Sequence, residues 1–286
     1  MPGSPKKPEG EIPKLKCVAQ SFTNCPIELR LLGIERCKHT DCKWNLRFSQ
    51  KKVTTLSPAS FYSVFPSSLR GALIVSCQAP PGDPLDDLDT LRRLAVSALR
   101  GGAGGLRANG VACIEAFRKE TKSPIIGILK RYQNGEAAIT PDFAAAEAIS
   151  NAGADIVALD CTARRLTAPE PWPGLIVRIH NELGKPVLGD IANFEDAVAA
   201  QESGADAVAT TLYGFTPETA HCRSVNWELV ERLVKTLHVP LIVEGHITQP
   251  DEVKRALDLG VYAVVVGSAI TRPESITARF VKAAQS

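Results

Sequence analysis

The chain has 286 residues, 44% of them hydrophobic and 22% charged, with a net charge of +2. That balance suits a globular protein with one sizeable core and an appendage. The small charge gives no footing for nucleic acid or a membrane surface. No apolar run approaches the roughly 20 residues of a membrane span. The opening MPGSPKKPEGEIPK lacks the apolar stretch of a secretory signal, so a cytoplasmic protein is expected.

Residues 1–66 contain Pro, Ser and Lys without a sustained hydrophobic period; only SFTNCPIELRLLGIERC has enough apolar residues for a short helix. They are expected to form an extension of low order, disordered or weakly packed, ahead of a catalytic domain spanning 67–286. The chain has eight cysteines, which a reducing compartment keeps as thiols. Cys37 and Cys42 flank His39, but the spacing is not C-x₂-C and no second pair follows at finger distance, so no metal site is assigned.

From Gly71 onward a rhythm sets in. Eight short apolar runs follow one another: ALIVS (72–76), GGLRA (104–108), PIIGIL (124–129), DIVALD (155–160), PVLGD (186–190), DAVATT (206–211), PLIVE (240–244) and YAVVVG (262–267). Near-continuous apolar runs are what strands buried on both faces require. Helical patterns lie between them. Thr140-Pro141-Asp142 predicts a cap at Thr140 with Pro at the first helical position, Thr248-Gln249-Pro250 opens another helix, and Arg272-Pro273-Glu274 opens the last. NAGADIVA recurs as ESGADAVA and more loosely as DLGVYAVV, each reading as a helix end, a Gly and the next strand. Eight β-α units predict an α/β fold closed into a (β/α)₈ TIM barrel. No strand is followed by GxGxxG. The run Gly101–Gly105 precedes a strand and reads as a tight turn.

In this fold the C-terminal ends of the strands form the active-site face. The first, third, fifth and seventh strands are closed by Gln78, Lys130, Asp190 and Glu244. Interior side chains come in layers filled by alternate strands, so these four are expected in one layer, with Arg107 of the second strand beside them. A Lys, two carboxylates, an Arg and a Gln at one point read either as catalytic apparatus or as an ion-pair network that satisfies itself; the face they occupy favours catalysis. A lysine in such a pocket exchanges protons if its pKa falls toward neutrality, which desolvation and Arg107 favour and the carboxylates oppose. Without a Ser elbow or a metal-ligand spacing, proton transfer at a carbon next to a carbonyl is the natural reaction class. The last strand ends in Gly267-Ser268 ahead of a helix at Pro273, and with Gly245 and Arg272 this suggests a phosphate site.

LIVSCQAPPGDPL, GGLRANG, IGILKR, ADIVALDCT, GDIANFEDA, GADAVATTLYGFT and VEGHITQPDEVKRALDLGVYAVVVGSAITRPESIT together resemble the N-acylglucosamine-6-phosphate 2-epimerases. The likeness covers about residues 70–284, in order and on every strand. It implies interconversion of N-acetylmannosamine 6-phosphate and N-acetylglucosamine 6-phosphate in sialic acid catabolism. It implies that Lys130 is the catalytic lysine, Glu244 the catalytic carboxylate, and Gln78, Arg107 and Asp190 substrate contacts. Gly245, Gly267, Ser268 and Arg272 fall at the phosphate end. No metal or redox cofactor is implied, and a homodimer is expected. One-base and two-base versions of the chemistry both fit. The family starts just ahead of the first strand, so residues 1–66 have no counterpart and are expected to be a true extension or a start placed too far upstream. His246 stands where the family often has Arg.

Overall fold

The computed structural model describes residues 65–133 and 136–285, all within one compact unit, Leu56–Ser286. Readings that fall on residues 1–64, including the Cys37–Cys42 motif, lie outside the described residues.

The eight apolar runs become the strands of a closed parallel barrel. They are β1 Leu73–Cys77, β2 Gly105–Asn109, β3 Ile125–Ile128, β6 Ile156–Asp160, β7 Val187–Asp190, β8 Ala207–Ala209, β9 Leu241–Glu244 and β10 Ala263–Val266. They lie around the barrel in that order, and β10 pairs with β1. Helices α1 Leu88–Arg100, α2 Val111–Glu120, α3 Phe143–Asn151, α4 Trp172–Arg178, α5 Phe194–Glu202, α6 Trp227–Thr236 and α7 Pro250–Asp258 alternate with the strands, and α8 Ser268–Thr271 and α9 Pro273–Ala284 follow β10.

Period-2 alternation sorts each strand into two cores. Ile74, Ile126, Ile156, Leu188, Ile242 and Val265 share one buried cluster inside the barrel. Their chain neighbours Val75, Ile125, Val157, Val187, Val243 and Val264 share another with Leu91, Ile114, Phe117 and Ile149 of the helices. The repeated motif places Gly153, Gly204 and Gly260 just past the ends of α3, α5 and α7 with φ of 105°, 96° and 95°, the left-handed turn that a side chain resists.

The floor of the barrel is sealed by residues ahead of β1. A 3₁₀ turn, Ser67–Leu69, drives Leu69 and the preceding Phe65 into the inner cluster against Tyr262. The Tyr262 hydroxyl donates to the Pro66 carbonyl at 3.0 Å, and its ring meets Phe65 edge-on at 5.7 Å. Burying a side chain the size of Leu69 contributes about 1.5–3 kcal/mol. The packed unit therefore includes Phe65 and Pro66, just ahead of residue 67.

Two details differ from the sequence expectation. The cap of α3 is Asp142, whose carboxylate accepts from the Ala145 N–H at 2.8 Å, while Thr140 has φ 45° and ends a hairpin. That hairpin was not foreseen: after β3 the chain runs into β4 Lys130–Gln133 and returns as antiparallel β5 Glu136–Ile139. Around α7 the structure agrees with the expected opening: Gln249 sits at the cap and Pro250 is the first helical residue. The Glu252 carboxylate accepts from both the Thr248 and Gln249 N–H groups.

Candidate active site

Parity decides which strand-end residues face inward. Ser76, Arg107, Ile126, Asp190, Glu244 and Val265 lie in step with the inner cluster, and the register pairs Ser76 with Arg107, Asp160 with Asp190 and Glu244 with Val265. A cavity of about 1050 Å³ opens above them. Ser76, Gln78, Lys130, Thr211, Glu244 and His246 line it, together with Gly245, Gly267, Ser268 and Arg272.

Arg107 is the centre of the polar network rather than a neighbour of it. It grips Asp190 with both guanidinium nitrogens, Nη1 to Oδ1 at 3.0 Å and Nη2 to Oδ2 at 2.6 Å. Nη1 also donates to Glu244 Oε2 at 2.6 Å. Arg107 and Asp190 are 1% and 0% exposed, whereas Glu244 keeps 11%. The first two therefore lie beneath the cavity, and Glu244 is the carboxylate at its surface. The Thr211 hydroxyl sits 2.6 Å from Asp190 Oδ1 and 3.1 Å from Glu244 Oε2. A bidentate pair of this geometry is among the strongest side-chain contacts, and it offsets the cost of burying the charges.

Lys130 stands apart from that network. Among the described residues its ammonium has no hydrogen bond or ion pair. Its backbone is fixed: its N–H donates to Asn109 Oδ1 at 2.9 Å, and the hairpin is closed beneath it by the Thr140 N–H on the Leu129 carbonyl at 2.9 Å. The expected single layer therefore divides. Asp190 and Glu244 meet through Arg107, Lys130 lines the same cavity as Glu244 from the hairpin, and Gln78 donates to Ser76 Oγ at 2.8 Å. The reason is reach. The guanidinium spans to both carboxylates from β2, and the hairpin carries Lys130 beyond the end of β3.

These surroundings shift the titrating groups. Burial lowers the Lys130 pKa and Arg107 lowers it further, against the pull of Glu244 and Asp190. Burial raises the Glu244 pKa, opposed by Arg107 and aided by Asp190. Burial works against the Arg107 charge, but Asp190 and Glu244 outweigh it and its pKa rises. The lysine and the glutamate thus move toward each other, as an acid and a base that exchange protons should.

Gly267, packed beside Ser76, leads directly into α8, and Gly267, Ser268 and Ala269 line the cavity wall. The sequence reading placed the helix opening at Pro273, which begins α9. Arg272 enters the cavity between the two helices and lies 3.4 Å from Asp83. Gln78 Oε1 is buried without a hydrogen-bond partner among the described residues.

Thr211 and Phe215 are among the cavity residues that sequence reasoning did not assign to the site. Thr211 was visible only as part of a polar pair closing a strand. His246 adopts φ 59°, contacts the Tyr213 carbonyl through Nε2 at 3.0 Å, and stacks on Phe215 at 5.3 Å. Cys77, Cys113, Cys161 and Cys222 are free thiols. Among the described residues no group of three or more His, Cys, Asp or Glu could hold a metal ion, and no helix is long and apolar enough to cross a membrane.

A closed (β/α)₈ barrel with a polar, partly desolvated cavity at its strand C-termini defines a TIM-barrel enzyme of small polar substrates. The family model described as "NanE: Putative N-acetylmannosamine-6-phosphate epimerase" matches residues 91–286, and the chain belongs to that family. Proteins of the same description from Clostridium perfringens and Thermosynechococcus vestitus are 44% and 48% identical over 213 and 206 residues. These matches span 74% and 72% of this chain and 96% and 90% of theirs. The solved structure of the N-acetylmannosamine-6-phosphate 2-epimerase from Clostridium perfringens aligns with a TM-score of 0.72 at 41% identity, covering 78% of this chain and 95% of that one. A thiamine phosphate pyrophosphorylase from Pyrococcus furiosus, 18% identical with a TM-score of 0.51, shares the fold.

Proposed function

We infer that this chain is a carbohydrate-phosphate 2-epimerase interconverting N-acetylmannosamine 6-phosphate and N-acetylglucosamine 6-phosphate, in the breakdown of sialic acids and amino sugars. Membership of the family supports the substrate pair. One observation of the site carries the chemistry: Lys130 and Glu244 face one cavity with their pKa values shifted toward each other.

In the open-chain sugar, C2 bears the acylamino group and adjoins the C1 aldehyde, so its proton is acidic. A neutral Lys130 amine takes that proton and leaves an enolate. Return of a proton to the opposite face inverts C2. Glu244 assists as proton donor or in ring opening, and Arg107 beneath it holds the charge distribution. Gln78 Oε1 is an acceptor for a sugar hydroxyl or the acylamino N–H, and Asp190 supports the floor through Arg107. Gly245, Gly267, Ser268 and Arg272 take the phosphate. The reading places the protein in the cytoplasm as a homodimer, with residues 67–286 as its catalytic domain and residues 1–66 as an extension. Phe280 on α9, 74% exposed, is an apolar surface that a second copy would cover; light scattering tests that state.

The test is NMR of N-acetylmannosamine 6-phosphate with the protein in D₂O. Deuterium should enter C2 as the second sugar forms, and Lys130→Met should stop both. Full exchange in that variant would remove Lys130 from the mechanism.

A further inference from the structure

Two adjacent threonines hold Glu244 by different parts. They open the 3₁₀ turn Thr210–Leu212 after β8, where successive side chains diverge by about 120°. Thr210 fixes the backbone: its hydroxyl donates to the Glu244 carbonyl at 2.8 Å and accepts from the Glu244 N–H at 3.0 Å. Thr211 addresses the side chain, between Glu244 Oε2 at 3.1 Å and Asp190 Oδ1 at 2.6 Å.

The Thr211 hydroxyl has one proton and two acceptor neighbours. When Glu244 is ionised, that proton can turn to Glu244. When Glu244 is protonated, its own O–H can donate to Thr211, whose proton turns to Asp190. Asp190 tolerates either state because Arg107 donates to both of its oxygens, and Glu244 keeps its own bond from Arg107 throughout. A buried carboxyl that must gain and lose a proton without moving needs a neighbour able to both give and accept a hydrogen bond. A hydroxyl does so, whereas the Arg107 guanidinium can only give.

We propose that Thr211 is a positioning residue for epimerisation, its hydroxyl swinging between Asp190 and Glu244 so that Glu244 keeps one geometry in both protonation states. The proposal rests on the reading of Glu244 as a proton-exchanging carboxylate. Thr211→Val keeps the shape and deletes the hydroxyl. It should lower kcat by about 10- to 100-fold while KM stays within about threefold. It should also move the acid limb of the pH profile upward, because a hydrogen bond favouring the carboxylate is lost. Thr211→Ser should bring kcat back to within about threefold of wild type and restore the acid limb.

The measurement uses the full chain, N-acetylmannosamine 6-phosphate and C2 exchange in D₂O across pH, with circular dichroism as the check on folding. Thr211→Ala replaces the valine variant if that one does not fold. An unchanged kcat and acid limb in the hydroxyl-free variant overturn the proposal, as does a serine variant as impaired as the valine one. Glu244→Gln separates the two layers of inference. If it is inactive and Thr211→Val is not, the threonine proposal alone fails; if it is fully active, the reading of Glu244 fails first.

Discussion

Arg107 Nη1 lies 2.6 Å from Glu244 Oε2 while the same guanidinium clasps both oxygens of Asp190. One cation therefore serves two carboxylates, and the trio formally carries one negative charge facing Lys130. Burial, with Asp190 beside it, favours a protonated Glu244, and burial, with Arg107 nearby, favours a neutral Lys130 against the pull of the carboxylates, the pairing that C2 chemistry needs.

Replacing Arg107 by Met tests how far the network holds the barrel mouth together. It leaves Asp190 and Glu244 buried without their cation, which costs about 3–5 kcal/mol for a buried pair broken from one side. Urea unfolding should show the midpoint falling accordingly. A midpoint equal to wild type would mean that the carboxylates find other partners.

The pH dependence of kcat follows from the directions of the shifts. Burial raises Glu244 above the ordinary 4.5 and lowers Lys130 below the ordinary 10.5, so the pair shares one proton between an acid limb above 4.5 and an alkaline limb below 10.5. Below the acid limb both groups are protonated and no base remains; above the alkaline limb both are deprotonated and no acid remains. The expected profile is a bell narrower than free side chains would give. Because Arg107 pushes both pKa values down, any folded variant lacking its charge should show both limbs at higher pH. An alkaline limb at or above 10.5 in the wild type would contradict the placement of Lys130.

Arg272 should act on binding more than on chemistry. It lines the cavity beside Gly267 and Ser268 and leans on Asp83 at 3.4 Å. Arg272→Gln removes a charge-assisted contact of about 1.5–3 kcal/mol, so KM should rise by about 10- to 100-fold with little change in kcat. Inhibition by inorganic phosphate should weaken in parallel. A loss confined to kcat would move Arg272 from the phosphate to the reacting carbon.

Gly214 is a steric requirement of the cavity wall. It has φ 86°, and a Cβ built there would stand 2.2 Å from His246 Nε2. Gly214→Ala must displace the imidazole from Tyr213 and Phe215 and strain the backbone, for about 1–3 kcal/mol of stability. The melting temperature should fall and KM should rise. His246→Ala in the same chain should relieve the clash and recover part of the stability. No recovery would place the cost in the backbone alone.

The strands were legible because their signal is local. Each run of β-branched and small residues from ALIVS to YAVVVG marks a strand buried on both faces, and period 2 says which strand-end residues turn inward. Arg107, Asp190 and Glu244 could thus be assigned to one face of one fold before any contact was known. The hairpin of β4 and β5 was not legible. Its sequence, KRYQ and EAAI, has no apolar alternation; Asn109 and Thr140 hold its base, and only its last residue, Ile139, joins the inner cluster.

By itself the sequence determined the barrel, its polar mouth and the residues available there, because helix, strand and turn preferences act over a few residues. Only the tertiary structure decided the partners. Arg107 took both carboxylates, Lys130 was left on a hairpin without a side-chain partner among the described residues, and Thr211 entered between Asp190 and Glu244. Those choices depend on barrel register and side-chain reach across 21 to 137 positions of chain, distances over which no local pattern carries information.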